Sequence, residues 1–172
     1  MVQPAGLKVL EVPHSGCTQT SLEEAQVIAQ LVTTILRQSV REETGDVRPL
    51  TLADVLVVAP FNAQVNLLMK ILPAGIRMGT VDKFQGQEAM ISIVSMTTSD
   101  GALAPRGSQF LFNANRLNVA VSRAKCLAIV VRGTNLLHLD NPNIEDLERL
   151  DAFVRADVAS ANNEILGVPE VA

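Results

Sequence analysis

Tryptophan and tyrosine are absent from the 172-residue sequence, and five phenylalanines are the only aromatic rings. Nucleic-acid modules that stack bases on aromatic platforms carry more. Only Phe61 or Phe84 could serve here, and buried packing is the commoner fate of phenylalanine. Cysteine is as scarce: Cys17 and Cys126 lie far apart, and the opening MVQPAGLKVL has neither the basic start nor the long apolar core of a signal peptide. That excludes a disulfide framework and fits a reducing, cytoplasmic setting. No apolar run approaches the roughly 18 residues of a membrane helix.

Several chemical signatures are missing too. There is no Gly-Lys pair, hence no G-x-x-x-x-G-K-[ST] loop to cradle phosphates, and no Asp-Glu pair for magnesium. A dinucleotide fingerprint G-x-G-x-x-G and a nucleophile elbow G-x-S-x-G are also absent. The histidines are His14 and His138. His14-Ser15-Gly16-Cys17 spaces two residues like half a zinc site, but Cys126 and His138 form no matching half, so no metal site is expected.

What is present describes one globular domain. The chain is 48% hydrophobic and 19% charged, and a chain of this size buries about 68–70% of its unfolded surface. The net charge is −4, so the molecule as a whole does not attract nucleic acid. The charges are segregated, however. Between Gly101 and Leu139 there is no acid but five bases, Arg106, Arg116, Arg123, Lys125 and Arg132. Such a block is either a solvated face or a local phosphate site that the global charge conceals.

Periodicity predicts a strand at Leu7–Val12. A helix follows, opened by a Ser21/Glu24 capping box and carrying a stripe of Leu22, Ala25, Ile28, Leu31, Val32, Ile35 and Leu36. Residues 41–53 read as a loop. The apolar run from Asp54 to Pro60 predicts a strand covered on both faces, followed by a helix at Asn62–Leu72. Strands are expected near Arg77–Thr80, Met90–Met96 and Leu127–Arg132, with a helix at Asn115–Ala124. A terminal helix from Asn143 to about Ala159 should bury Leu147, Leu150 and Val154. Strands alternating with helices predict a mostly parallel sheet with helices on both faces, whose ligands bind beyond the carboxyl ends of the strands.

Three segments carry candidate chemistry. Pro60-Phe61-Asn62-Ala63-Gln64 and Gly79-Thr80 follow strands and place amides, hydroxyls and a helix start where backbone N–H groups meet phosphate. Gln85-Gly86-Gln87-Glu88 surrounds a glycine that permits close approach with two amides and a carboxylate able to accept from ribose hydroxyls. Arg116 and Arg123, seven apart, share a helical face, and arginine binds phosphate bidentately. Taken singly, each is more often a capped turn or a solvated surface group.

Together they are more specific. The segments VLVVAPFNAQ, GTVDKFQGQEAMISIVSM and FLFNANRLNVAVSRAKCLAIVV resemble, in order and spacing, motifs IV, V and VI of the second RecA-like domain of superfamily 1B helicases. VPHSGCTQTSLEEAQVIAQLV resembles bacterial helicases fused to a RecB-like nuclease. The resemblance implies an α/β, P-loop NTPase-type fold, with residues 1–139 as motor domain 2 and 140–172 as an acidic helical extension. It also implies that Arg123 is the arginine finger, with Gln85, Gly86 and Glu88 beside the nucleotide. Asn62, Gln64 and Thr80 fall near the nucleic-acid backbone. ATP and Mg²⁺ would be shared with a first RecA-like domain outside this chain. The implied partners are that domain, a RecB-like nuclease domain, and single-stranded nucleic acid, DNA before RNA. Relatives often carry an acid where Met90 stands. On this reading the chain alone is inactive as an ATPase. The alternative is a stand-alone, non-catalytic RecA-like module that binds nucleic acid or protein.

Overall fold

The computed structural model describes residues 6–42, 44–84 and 86–162. Five parallel strands form the main sheet: β1 (Gly6–Val12), β4 (Val55–Val58), β5 (Arg77–Gly79), β6 (Ala89–Ser95) and β7 (Ala124–Gly133), in the order β1-β7-β6-β4-β5. Two three-residue strands, β2 (Ser39–Arg41) and β3 (Val47–Pro49), pair antiparallel as a separate hairpin. The helices are α1 (Leu22–Ile35), α2 (Asn62–Ile71), α3 (Ser108–Leu111), α4 (Ala114–Ser122) and α5 (Ile144–Asn162).

Strand alternation divides the core into two layers. Val55, Val57, Ile91, Ile93, Ile129 and Val131 pack with Ala25 and Ile28 of α1 and Val65 and Leu68 of α2. Leu56, Val58, Val94 and Val130 point the other way, into Phe84, Phe112, Leu117 and Phe153. All four residues of β4 are buried, which accounts for its unbroken apolar sequence. This is the three-layer α/β arrangement expected of a RecA-like domain. No helix among the described residues is long and apolar enough to cross a membrane.

Four expectations need correction. Residues 41–53 are not a plain loop. They hold the end of β2, all of β3 and the start of a 3₁₀ turn at Leu52–Asp54. Arg48 builds this unit, donating to Glu42 at 2.6 Å and to both oxygens of Asp54 at 2.8 Å. The helix expected to reach Ala124 ends at Ser122, because β7 begins at Ala124 in register with Ala89.

The capping box is half formed. Ser21 Oγ accepts from Glu24 N at 3.1 Å, but the Ser21 N–H goes to Gln64 Oε1. Finally, α5 buries only part of the predicted stripe: Leu150 packs against the core, but Leu147 is 53% and Val154 47% exposed. Its buried face holds Phe153, whose ring meets Phe112 edge-on at 5.3 Å. Ser160 Oγ accepts the Val9 N–H at 2.8 Å, and Asp157 accepts from Arg132 at 2.8 Å. These contacts tie α5 to the β1 edge of the sheet.

Candidate functional site

The candidate residues divide between opposite edges of the sheet. At the carboxyl edge, β4 runs through Ala59 and Pro60 into Phe61, the residue before α2, so Asn62 opens the helix with its side chain exposed. Thr80 directly follows β5 and is half-buried. Ala59 N donates to Gly79 O at 3.1 Å, which keeps the two strand ends together. Space favours glycine at position 79: a Cβ there would lie 2.6 Å from Lys83 Cδ and 3.0 Å from the Phe84 ring. Between these loops opens an apolar cleft of about 430 Å³, mouth included, lined by Val58, Pro60, Thr80, Met96, Phe110 and Phe153 among others.

Gln64 faces inward. It is 0% exposed. Its Oε1 accepts from Ser21 N at 2.8 Å, and its Nε2 donates to Ser21 O at 3.0 Å and Ser95 Oγ at 3.1 Å. The amide is therefore committed to joining the first turns of α1 and α2 and does not reach the surface beside Asn62.

From Thr80 the chain crosses to the amino edge in eight residues. A 3₁₀ turn at Val81–Phe84 begins the crossing. Gly86 continues it at φ +80°, with nothing within 4 Å of where a Cβ would stand. Here glycine is required by backbone conformation and not by crowding. Gln85, the remaining candidate of this stretch, lies outside the described residues.

Glu88 ends the crossing just before β6. Its carboxylate is about half exposed and pairs with Lys125 Nζ at 3.2 Å, a contact worth about 0.2–1 kcal/mol at a surface. Its carbonyl accepts from Arg77 Nη2 at 3.0 Å, and the same nitrogen also donates to Ala53 O. Arg123 stands next to it, in the single residue between α4 and β7. Its carbonyl accepts Ala89 N–H at 2.9 Å. The Arg123 Nε is buried and has no hydrogen-bond partner among the described residues. Arg116 lies in α4, and its side chain is outside what is described.

The structure thus brings Gly86, Glu88 and Arg123 together before β6 and β7, and sets Asn62 and Thr80 apart, after β4 and β5. The expectation that all the chemistry gathers beyond the carboxyl ends holds only for the second group.

One cluster was not anticipated. Glu24, 0% exposed, accepts from His14 Nε2 at 3.1 Å, Ser95 Oγ at 2.6 Å and Thr97 N at 2.9 Å. His14 Nδ1 is 2.6 Å from Ser99 Oγ. The sequence does carry a signal: Glu24 precedes Ile28, Leu31 and Ile35 at helical spacing on the buried stripe. Ser99, His14 and Glu24 have the composition of a hydrolytic triad. However, Ser99 is 3% exposed, its Oγ already accepts Cys17 N–H at 3.0 Å, and none of the three lines the cleft. The line of bonds therefore serves to hold loops in place. Among the described residues, no group of three or more His, Cys, Asp and Glu side chains could hold a metal ion.

Elsewhere the charged groups stabilise structure. Arg48 holds the Asp54 carboxyl well below the usual range, against a smaller opposing effect of burial. Burial pushes the Cys126 thiol up.

Residues 12–135 match a family described as AAA domain. An uncharacterized ATP-dependent helicase of Caenorhabditis elegans is 32% identical over 117 residues, covering 67% of this chain and 7% of that protein. The DNA polymerase alpha-associated DNA helicase A of Schizosaccharomyces pombe is 35% identical over 115 residues, 65% of this chain and 16% of that protein. The human RNA helicase Mov10l1 is 34% identical over 95 residues, 51% of this chain and 8% of that protein. The chain therefore spans less than a fifth of the length of each of these relatives.

Proposed function

The chain belongs to the AAA domain family matched over residues 12–135, and from that premise we propose that it is the second motor domain of an ATP-dependent superfamily 1 helicase. On this reading residues 1–139 are the motor domain and residues 140–172 its helical extension. The observation that carries the proposal is Arg123. A guanidinium is charged at every physiological pH, and leaving one of its donors buried and unpaired costs free energy. The same is true of Arg132 Nε, but Arg132 already donates from Nη2 to Glu11 and Asp157; the terminal nitrogens of Arg123 would make the bidentate contact to phosphate oxygens that arginine favours.

The donor set suits the phosphate side of a nucleotide and not a complete ATP site. Arg123 supplies one cation, Gly86 an open backbone, and Glu88 a half-exposed carboxylate able to accept from ribose hydroxyls. A phosphate-cradling loop and magnesium ligands would come from a first RecA-like domain outside this chain, since neither motif occurs here. ATP, when bound with Mg²⁺, supplies the phosphoanhydride bond that is broken. Arg123 would stabilise charge developing on the γ-phosphate oxygens. Its backbone anchor to Ala89 fixes the point from which the side chain reaches.

At the other edge, Asn62 and Thr80 would contact the backbone of a single strand, DNA before RNA, without reading bases. Gln64 would act by holding α2, not by touching the strand. Residues 80–88 then physically join the strand edge to the nucleotide edge, a short connection through which hydrolysis can move the track. A RecB-like nuclease domain in the same polypeptide is part of the proposal.

The test compares phosphate release by the 172-residue chain alone with release by the chain joined to a P-loop motor domain, with and without single strands. Background release alone and strand-stimulated turnover when joined are expected. Turnover by the chain alone that disappears in Arg123→Ala would contradict the division of labour.

A further inference from the structure

At the carboxyl edge two segments meet one buried carboxylate directly, and a third reaches it through a hydroxyl. The loop after β1 contributes His14, whose Nε2 lies 3.1 Å from Glu24 Oε1. The turn after β6 contributes the Thr97 N–H at 2.9 Å from Oε2. The segment after β4 is reached through Ser95, whose hydroxyl donates to Glu24 at 2.6 Å and accepts from Gln64 Nε2 at 3.1 Å. Gln64 lies two residues after Asn62 in α2. We propose that Glu24 is a positioning residue of the nucleic-acid track: its one carboxylate sets the relative placement of these three loops, and with them Asn62. The proposal rests on the strand-track reading given above.

The proton inventory fixes the direction of the link to α2. Ser95 has one hydroxyl proton, and Gln64 Nε2 has only donors, so Ser95 accepts from Gln64 and passes its own proton to Glu24. Ser99 Oγ accepts the Cys17 N–H and lies 2.6 Å from His14 Nδ1, while His14 Nε2 faces Glu24, so the imidazole bridges the two side chains.

The backbone held by this carboxylate is under strain. Thr97 adopts φ +72°, and Thr98 N–H returns to Met96 O at 2.7 Å, a γ-turn of the rare, strained hand. A β-branched residue persists in such a conformation only where its surroundings over-determine it. Thr98 Oγ1 to Thr18 O at 2.8 Å and Ser99 N to Cys17 O at 2.9 Å then fasten this turn to the β1 loop. An apolar residue at position 24 would fill the same core volume without the desolvation cost of a charge. What it could not do is accept from His14, Ser95 and Thr97 at once.

The experiment is fluorescence-anisotropy titration of a labelled single-stranded oligonucleotide with the 172-residue chain at low salt, alongside thermal melts. Ser95→Ala cuts the link between Glu24 and α2 by removing one hydroxyl. It should weaken binding roughly fivefold at temperatures where it is fully folded, and Asn62→Ala should cost less in that background than in the wild type. Glu24→Leu, which keeps an apolar side chain in the core but accepts none of the three donors, should weaken binding at least as much as Ser95→Ala wherever it is folded. A folded Ser95→Ala with wild-type affinity, or strict additivity with Asn62→Ala, would overturn the proposal. Absence of binding by the wild type, or indifference to Asn62→Ala, would overturn the track reading and this proposal with it.

Discussion

The Ala89 N–H meets the Arg123 carbonyl at 2.9 Å, so the residue just before β7 is pinned to the start of β6. A main-chain bond between neighbouring strand starts cannot drift by a side-chain rotation. Arg123 therefore projects from a fixed point one residue beyond Glu88, and any role it has at the amino edge begins with this placement.

The two crossing-point glycines should fail in different ways. Gly79→Ala drives a methyl group toward Lys83 and the buried Phe84 ring. Lys83 can swing aside by giving up its bond to Met78 O, but the ring is packed, so a loss of about 1–3 kcal/mol is expected. Gly86→Ala meets open space yet must hold φ +80°, at a cost of about 1–2 kcal/mol. Chemical denaturation measures both, and only Gly79→Ala should also reduce strand binding, because Thr80 is its neighbour. Equal loss of binding in the two variants would contradict this assignment.

The Arg48–Asp54 contact predicts acid sensitivity. The Asp54 pKa is depressed in the folded chain relative to an unfolded value of about 3.9. Its contribution is therefore fully present above that value and is lost as pH falls toward the folded pKa. Arg48→Met should lower stability at pH 7 and flatten the pH dependence below about 4. Denaturation midpoints at pH 7, 4 and 2.5 would show it; parallel curves for wild type and variant would count against the contact.

Strand binding should be sequence-blind, since Asn62 and Thr80 are read as contacts to the backbone and not to base edges. Asn62→Ala and Thr80→Ala should weaken unrelated oligonucleotides alike. A variant that weakens one sequence and spares another would point to base readout.

Much of this fold can be read from the sequence, because its strands are short and fully buried. β4 needs no partner to be recognised, and the α1 stripe declares its inner face. The β2–β3 hairpin was not legible: three-residue strands have no usable period, and Arg48 holds the unit through contacts six residues away on either side. The α5 orientation depends on Phe112 and Arg132, which sequence spacing cannot place. At the candidate site, Arg123 and Glu88 were legible as residue types. Their separation from Asn62 and Thr80 emerged only when 80–88 proved to cross the sheet. Gln64 looked like a surface amide until Ser21 and Ser95 took up its bonds.

The most direct test of the central claim is single-turnover ATP hydrolysis by the intact motor carrying Arg123→Ala, Arg123→Lys or Arg116→Ala, with thermal melts of each. A group that acts on charge developing at the γ-phosphate lowers the chemical step far more than ATP binding. Arg123→Ala should therefore slow hydrolysis by on the order of 10³-fold or more while remaining folded. Arg123→Lys should also be poor, because an ammonium cannot make the planar two-pronged contact, and Arg116→Ala should cost far less. Near wild-type hydrolysis by a folded Arg123→Ala motor, or inactivity confined to Arg116→Ala, would contradict the account.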